Sequence, residues 1–266
     1  MALLTTILLG IVALLQLITI LIVVFSVRKT AWAARFALAA KGESHKASVN
    51  TTRQLEYLAK LHRKMGLQWG DLQPTRGWAA SPDFLNLIFD TISRDKPHIV
   101  VELGSGVSTI VVASALKYNG HGRLLTVDHD EHFLQKTNSD IDRLNLGKFA
   151  SSHFAPLVPC SIQGKVWQWY DLSENEIPDT IDILIVDGPP EPITGEEGRY
   201  PALEKLYGAV AEGGSIILDD TNRAGEKRFI HRFCKRFPEI HAEYVNLEKG
   251  ATILRKRQPQ LSRPNM

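Results

Sequence analysis

A glycine turn flanked by acidic residues is the first feature of this sequence able to do chemistry. In IVVELGSGVST, residues 99–109, Glu102 precedes a turn in which Gly104 and Gly106 bracket Ser105, and Ser108 opens an apolar run to Leu116. Glycines let backbone N–H groups approach a ligand closely, so the turn suits a dinucleotide pyrophosphate at a helix N-terminus or a nucleoside without phosphate. Asp128 follows about 20 residues later, the separation at which a carboxylate accepts hydrogen bonds from ribose hydroxyls. Asp187 in DILIVDGPP and the pair Asp219-Asp220 in SIILDD add carboxylates able to serve as general bases. Arg199, in the polar segment EPITGEEGRY, is expected to contact an anion or hydroxyl from a substrate lid; the alternative is an ion pair on a solvated loop.

The elements that must position these residues alternate. Strand-like runs cover 98–103, 123–128, 182–187 and 215–220, with helical stretches near 108–119, 130–146, 201–211 and 224–236. That pattern predicts an α/β fold whose parallel sheet collects ligands at the carboxyl ends of its strands, where the acids fall. Runs 241–248 and 251–257, separated by little more than Lys249-Gly250, predict an antiparallel hairpin at the C-terminal edge. Upstream, PTRGWAAS (74–81) breaks the chain, and Ser81 is expected to cap a helix carrying Pro82 in its first turn and ending before Pro97.

The N-terminus has a different character. Met1 to Val27 carries no charged side chain and is long enough to cross a bilayer, which takes about 20 apolar residues. A cleaved signal peptide would want its positive charges before a shorter apolar run, whereas here Arg28, Lys29, Arg35 and Lys41 follow it. Their side of the span places the body of the protein in the cytoplasm. Residues 28–65 hold nine Lys and Arg against Glu43 and Glu56, a local +7 that leaves −5 for the rest of a chain whose net charge is +2. Leu55, Leu58, Ala59 and Leu61 recur there at near-helical spacing; a basic helical stalk resting on anionic lipid is one reading, an ordinary solvated helix packing one edge on the domain the other. The expected organisation is a transmembrane anchor over 1–27, stalk and linker over 28–77, one α/β domain over 78–257 and a flexible tail over 258–266. Cys160 and Cys234 are isolated, which argues against a disulfide framework or a zinc site.

The turn itself leans away from a dinucleotide. Thr109 stands where G-x-G-x-x-G wants a third small residue, and Glu102 would repel a pyrophosphate while welcoming an α-amino group. S-adenosylmethionine carries an ammonium and no phosphate. VELGSGVST, LLTVDHD, ILIVDGPP, GRYPAL and GGSIILDD, in that order from about Trp78 to Arg257, resemble the motif series of class I S-adenosylmethionine-dependent methyltransferases, particularly small bacterial ones of unassigned substrate. The resemblance implies a Rossmann-like, mostly parallel sheet and S-adenosylmethionine as cofactor. It places Glu102, Gly104 and Gly106 at the methionine end and Asp128 at the ribose, with Phe154 to Leu157 more loosely beside the adenine. The candidate cofactor set is Glu102, Gly104, Ser105, Gly106, Ser108, Asp128, His129 and Asp187; the catalytic set is Asp187, Asp220 and Arg199.

Some alternatives stay open. The glycines would also serve a bare tight turn, and Asp128 a helix N-cap. Asp187, Asp219 and Asp220 resemble the metal-binding carboxylates of catechol O-methyltransferase-like enzymes, but that family has Asp-Asn adjacent, whereas Thr221 follows Asp220 and Asn222 comes one later. A divalent metal is therefore not favoured. His129, His153 and His231 are read as solvated or core-edge side chains rather than bases. The expected activity is methyl transfer to a hydroxyl of a small-molecule, lipid or glycan acceptor at the cytoplasmic face of a bacterial inner membrane, with no nucleic-acid partner. The competing classes are an NAD(P)-dependent oxidoreductase and a non-catalytic membrane-tethered nucleotide-binding module.

Overall fold

The computed structural model describes residues 1–173 and 176–257, and divides into a unit over Met1–Arg53 and a compact unit from Gln54 onward. The tail expected over 258–266 lies outside the described residues. The first unit is helical: α1 runs unbroken from Ala2 to Met65, with no change of structure at Val27 between the expected anchor and stalk. Its apolar side chains between Leu3 and Val27 are exposed, and the helix is long and apolar enough to cross a membrane.

The last turns of α1 belong to the second unit. Leu61 is fully buried in the hydrophobic core with Phe84, Leu85 and Ile88 of α2 (Pro82–Asp95). Gln54 Nε2 donates to Asp83 Oδ2 at 2.8 Å while its Oε1 accepts from the Asp83 N–H at 3.1 Å. The compact unit starts at Gln54, and the helix packs one apolar edge, with Leu61, on the core. Ser81 occupies the N-cap of α2, but its hydroxyl donates to Asp83 Oδ1 at 2.6 Å instead of capping, and the Phe84 N–H goes to the same carboxylate at 2.9 Å.

The sheet follows. In chain order come β1 (Ile99–Leu103), α3 (Val107–Asn119), β2 (Arg123–Asp128), α4 (Glu131–Arg143) and β3 (Ala150–Phe154). A hairpin of β4 (Leu157–Ile162) and β5 (Lys165–Tyr170) precedes β6 (Ile181–Val186), α5 (Glu191–Thr194) and α6 (Tyr200–Leu206), which runs into a 3-10 turn over Tyr207–Ala209. The chain then forms β7 (Val210–Leu218), α7 (Ala224–Arg236), β8 (Ile240–Val245) and β9 (Ala251–Lys256). Seven strands pair in the order β3-β2-β1-β6-β7-β9-β8. The first five are parallel, while β9 runs antiparallel to both β7 and β8. This is the expected Rossmann-like sheet with its C-terminal hairpin. Alternation along the strands serves both faces: Val100, Ile183, Ile185 and Ile217 join the core of α2 and α3, whereas Val101, Leu103, Leu184 and Ile216 join Leu203, Phe229 and Phe233.

The β4–β5 hairpin forms a separate two-stranded sheet and is absent from the expected strands. Its Gln163-Gly164 turn has positive φ at both residues, 52° and 76°, the hairpin geometry that glycine favours. Trp167, Trp169 and Tyr170 bury against the α6–α7 core, with the Trp167 ring 5.2 Å from Tyr200.

Leu61→Ala tests whether the end of α1 is structural. It is expected to cost about 2–5 kcal/mol in urea denaturation, as for other fully buried leucines; a loss under 1 kcal/mol would return that segment to the linker.

Candidate active site

The chain starts β1, builds outward to β3, then returns to place β6 on the other side of β1, so the turns after β1 and β6 lie side by side at the switch point. They touch. A Cβ on Gly104 (φ +93°) would come 2.8 Å from the Gly188 nitrogen, and one on Gly188 would come 2.5 Å from the Tyr170 hydroxyl and 3.0 Å from Gly104 Cα. Leu103 O accepts from both Asp187 N–H (3.0 Å) and Gly188 N–H (2.7 Å), locking the two turns together. Gly106 (φ +154°) is different, since a Cβ there would meet no atom within 4 Å. Packing therefore accounts for Gly104, while Gly106 leaves an open cradle beside the start of α3.

Asp128 organises this turn. Its Oδ2 accepts from Ser105 N–H at 2.6 Å and Ser105 Oγ at 2.7 Å, and its Oδ1 from Asp130 N–H at 3.0 Å, with His129 Nδ1 3.3 Å away. Burial pushes the carboxyl up, but hydrogen bonds from His129, Asp130 and Ser105 outweigh it and hold its pKa below the ordinary value. The cap of α4 falls to Asp130, which accepts from His132 N–H (3.0 Å) and Phe133 N–H (3.2 Å), so Asp128 is free of that task. Phe154, in register with Asp128 on β3, is partly exposed and stands as an aromatic wall next to it.

Glu102 lies fully buried beneath the turn. Thr109 and Thr126 donate to its Oε2 at 2.6 and 2.8 Å, while Oε1 has no partner. Burial dominates the hydroxyls of Thr109, Ser108 and Thr126 and pushes its pKa up to about 7. Thr109 also accepts from Gly106 N–H at 3.0 Å, so the residue in the place of a third glycine ties the turn to the glutamate below it. Ser108 is buried in the first turn of α3.

On the other side of the switch point, Asp187, Asp219 and Asp220 bring one oxygen each within 4.8 Å of one another. Arg199, 4% exposed, sits among them, with Nη2 2.9 Å from Asp220 Oδ2 and 3.4 Å from Asp187 Oδ1, and Nη1 donating to Asp219 O at 3.0 Å. Arg223 reaches the same Asp220 oxygen at 3.0 Å. Both Asp219 side-chain oxygens are buried without partners, and burial beside Asp187 and Asp220 pushes its pKa well up. Burial raises Asp187 as well, with Arg199 pulling against it. Asn222 faces away: its Oδ1 accepts from the Tyr244 hydroxyl at 2.8 Å. Asp187 and Asp220 already hold guanidinium groups as their cations and the nearby amide is committed elsewhere, which disfavours a divalent ion, while the two oxygens of Asp219 are left without a cation. Asp220, at φ 61°, takes a backbone conformation uncommon for a residue with a side chain, which often accompanies a functional turn.

The segment expected as a lid is fastened. Glu197 pairs with Arg228 (3.1 Å) and Arg232 (2.9 Å) of α7, and Glu196 pairs with Arg228. Arg199 thus makes a buried ion pair at the site rather than an exposed one on a solvated loop. Of the histidines, His129 reaches the site, His153 pairs with Glu176 at 3.2 Å, and His231 is exposed on α7. Sequence reasoning missed Tyr170, whose hydroxyl rests against Gly188; only the placement of β5 reveals it.

The raised pKa of Glu102 has a thermodynamic signature. A carboxyl at about 7 in the folded protein and near 4.5 unfolded contributes stability below the lower value, and that contribution is lost as pH rises through the upper one. Relative to wild type, Glu102→Gln should therefore gain stability between pH 5 and pH 8, on the order of 3 kcal/mol, in thermal melts of the ligand-free protein. A difference independent of pH would show that Glu102 is ionised throughout.

Comparison with known proteins agrees with this geometry. The family model of a methyltransferase domain matches residues 101–221. No curated protein matches the chain. Among solved structures, the chain resembles the O-methyltransferase TomG of Streptomyces achromogenes in complex with S-adenosylmethionine, at 16% identity and a TM-score of 0.51, covering 79% of this chain and 96% of that one. It also resembles an O-methyltransferase of Bacillus cereus in complex with S-adenosylhomocysteine (18%, TM-score 0.51, 76% and 91% covered). A third likeness is to the S-adenosylhomocysteine-bound methyltransferase PaMTH1 of Podospora anserina (13%, TM-score 0.52, 76% and 88% covered). The segment from Val101 to Thr221 thus matches a methyltransferase domain, and the chain shares the fold of solved S-adenosylmethionine-dependent methyltransferases.

Proposed function

We propose that this protein transfers a methyl group from S-adenosylmethionine to a hydroxyl of a small-molecule, lipid or glycan acceptor, held at the cytoplasmic face of a membrane by its N-terminal helix. The observation that carries the reading is the contact of Gly104 with Gly188, which sets Glu102, Asp128 and Asp187 around one point of the sheet. The residues suit the cofactor: Gly106 leaves open space, Glu102 Oε1 lacks a partner, and Asp128 is held ionised. Complexes of TomG and of the Bacillus cereus enzyme with the cofactor or its product support the same ligand.

When bound, the cofactor supplies an electrophilic methyl on a sulfonium. Asp128 accepts the ribose hydroxyls, and Glu102 in its ionised form offers Oε1 to the ammonium. Asp187 takes the proton of the acceptor hydroxyl; its burial strengthens it as a base, while Arg199 holds its carboxylate in place. Asp220 and Arg223 orient Arg199 and act as positioning residues. Such pre-organisation contributes up to ~7–11 kcal/mol to an in-line transfer when the geometry is near attack.

Two measurements test this. Calorimetry should detect S-adenosylmethionine binding that Asp128→Ala weakens by about 1–3 kcal/mol, the loss of charge-assisted hydrogen bonds; equal affinity in the folded variant would refute the assignment. Deleting residues 2–27 should move the protein from the membrane to the soluble fraction without changing cofactor affinity, since the compact unit begins at Gln54. Retention on membranes would refute the anchor.

A further inference from the structure

Tyr170 ends β5, on a hairpin of its own rather than on a strand of the main sheet. Its side chain is 2% exposed and its hydroxyl has no hydrogen-bond partner. Burying a hydroxyl unpaired costs free energy that a phenylalanine of the same shape would avoid. Nor is the ring loosely placed: it packs 5.1 Å from Trp169 and 6.3 Å from His129, and Asp171 N–H, the next residue, donates to Pro156 O at 2.8 Å. The hydroxyl is thereby fixed against Gly188, at the crossing of the β1 and β6 turns. Asp128, Arg199, Asp187 and Glu102 surround it closely enough to act on its charge, and burial keeps it protonated.

A neutral hydroxyl, rigidly held, unpaired and central to the candidate cofactor and catalytic residues, calls for a partner that the chain itself does not supply. We propose that Tyr170 is a cofactor-binding residue, its hydroxyl completing its hydrogen bonding only when S-adenosylmethionine occupies the glycine turn. This inference rests on the methyltransferase reading above and adds to it a contact from the β4–β5 hairpin, which lies outside the glycine and acidic motifs. The hairpin then couples the α6–α7 core, through Trp167 and Tyr200, to the occupancy of the site.

The test is Tyr170→Phe in the full-length protein, read by thermal melting without ligand and by calorimetry with S-adenosylmethionine. Removing an unpaired buried hydroxyl should leave Tm unchanged or raise it by about 2–4 °C. Affinity for S-adenosylmethionine should fall about tenfold, the size expected for one lost hydrogen bond. Stability and binding would thus respond differently, as packing alone does not produce. Unchanged affinity would overturn the inference and assign the hydroxyl to a buried water; a lowered Tm would overturn it in favour of a structural role. Wild-type protein that binds no S-adenosylmethionine would overturn the methyltransferase reading and this inference with it, whereas wild type that binds and a variant that binds equally would overturn the inference alone.

Discussion

Two backbone turns without side chains, after β1 and after β6, press against each other at Gly104 and Gly188, and the site hangs on that contact. It exists because β1 is flanked by β2 and β6, so neighbouring loops leave the sheet in the same direction from strands that are distant in sequence. A side chain on either glycine would push the turns apart and move Asp128 and Asp187 with them. Hydrogen bonds from Asp187 and Gly188 to Leu103 O, and from Gly104 to Val127 O, then set the spacing of three strand ends at backbone precision.

What the turns bring together would repel itself without compensation. Asp187, Asp219 and Asp220 converge within 4.8 Å at the end of a sheet whose interior excludes water. Arg199 and Arg223 supply the opposing charge, and burial beside its two acidic neighbours pushes Asp219 toward the neutral form. A buried charge left without its partner is strongly destabilising, so this arrangement holds together as a set or not at all. At the glycine turn the same problem is met with neutral donors: two threonine hydroxyls under Glu102 and the Ser105 amide and hydroxyl on Asp128. Charged partners on one side of the switch point and uncharged ones on the other make the two halves electrostatically distinct.

The parallel strands, their acidic ends and the terminal hairpin were readable in sequence, because each depends on local periodicity or on a residue within its own turn. Asp128 could be told from a helix cap only once Asp130 was seen to do the capping. The end of α1 was legible only as one of two readings because its apolar edge is narrow: Leu61 is buried with Gln54 and His62, among Lys60, Arg63 and Lys64, which suit a solvated face equally well. The β4–β5 hairpin was hidden for another reason. Its residues alternate, but Pro159 and a Gln-Gly turn weaken the strand signal, and its aromatic residues find partners such as Tyr200 over thirty positions away. Spacing put Asn222 one place beyond the family's asparagine, but it could not show that its side chain turns toward Tyr244.

The division of labour in the site follows from these ranges of interaction. The proposed cofactor end is assembled from contacts within one turn and two adjacent strands, so its identity is written in short motifs. The proposed acceptor side is walled by elements from three regions, the β4–β5 hairpin, the segment after Asp187 and the turn at Asp220, joined through α7. Glu196 and Glu197 pair with Arg228 and Arg232, which ties that segment to α7. Acceptor choice on this reading depends on the fixed shape left between the walls, and shape made by residues so far apart in the chain leaves no contiguous mark in the sequence.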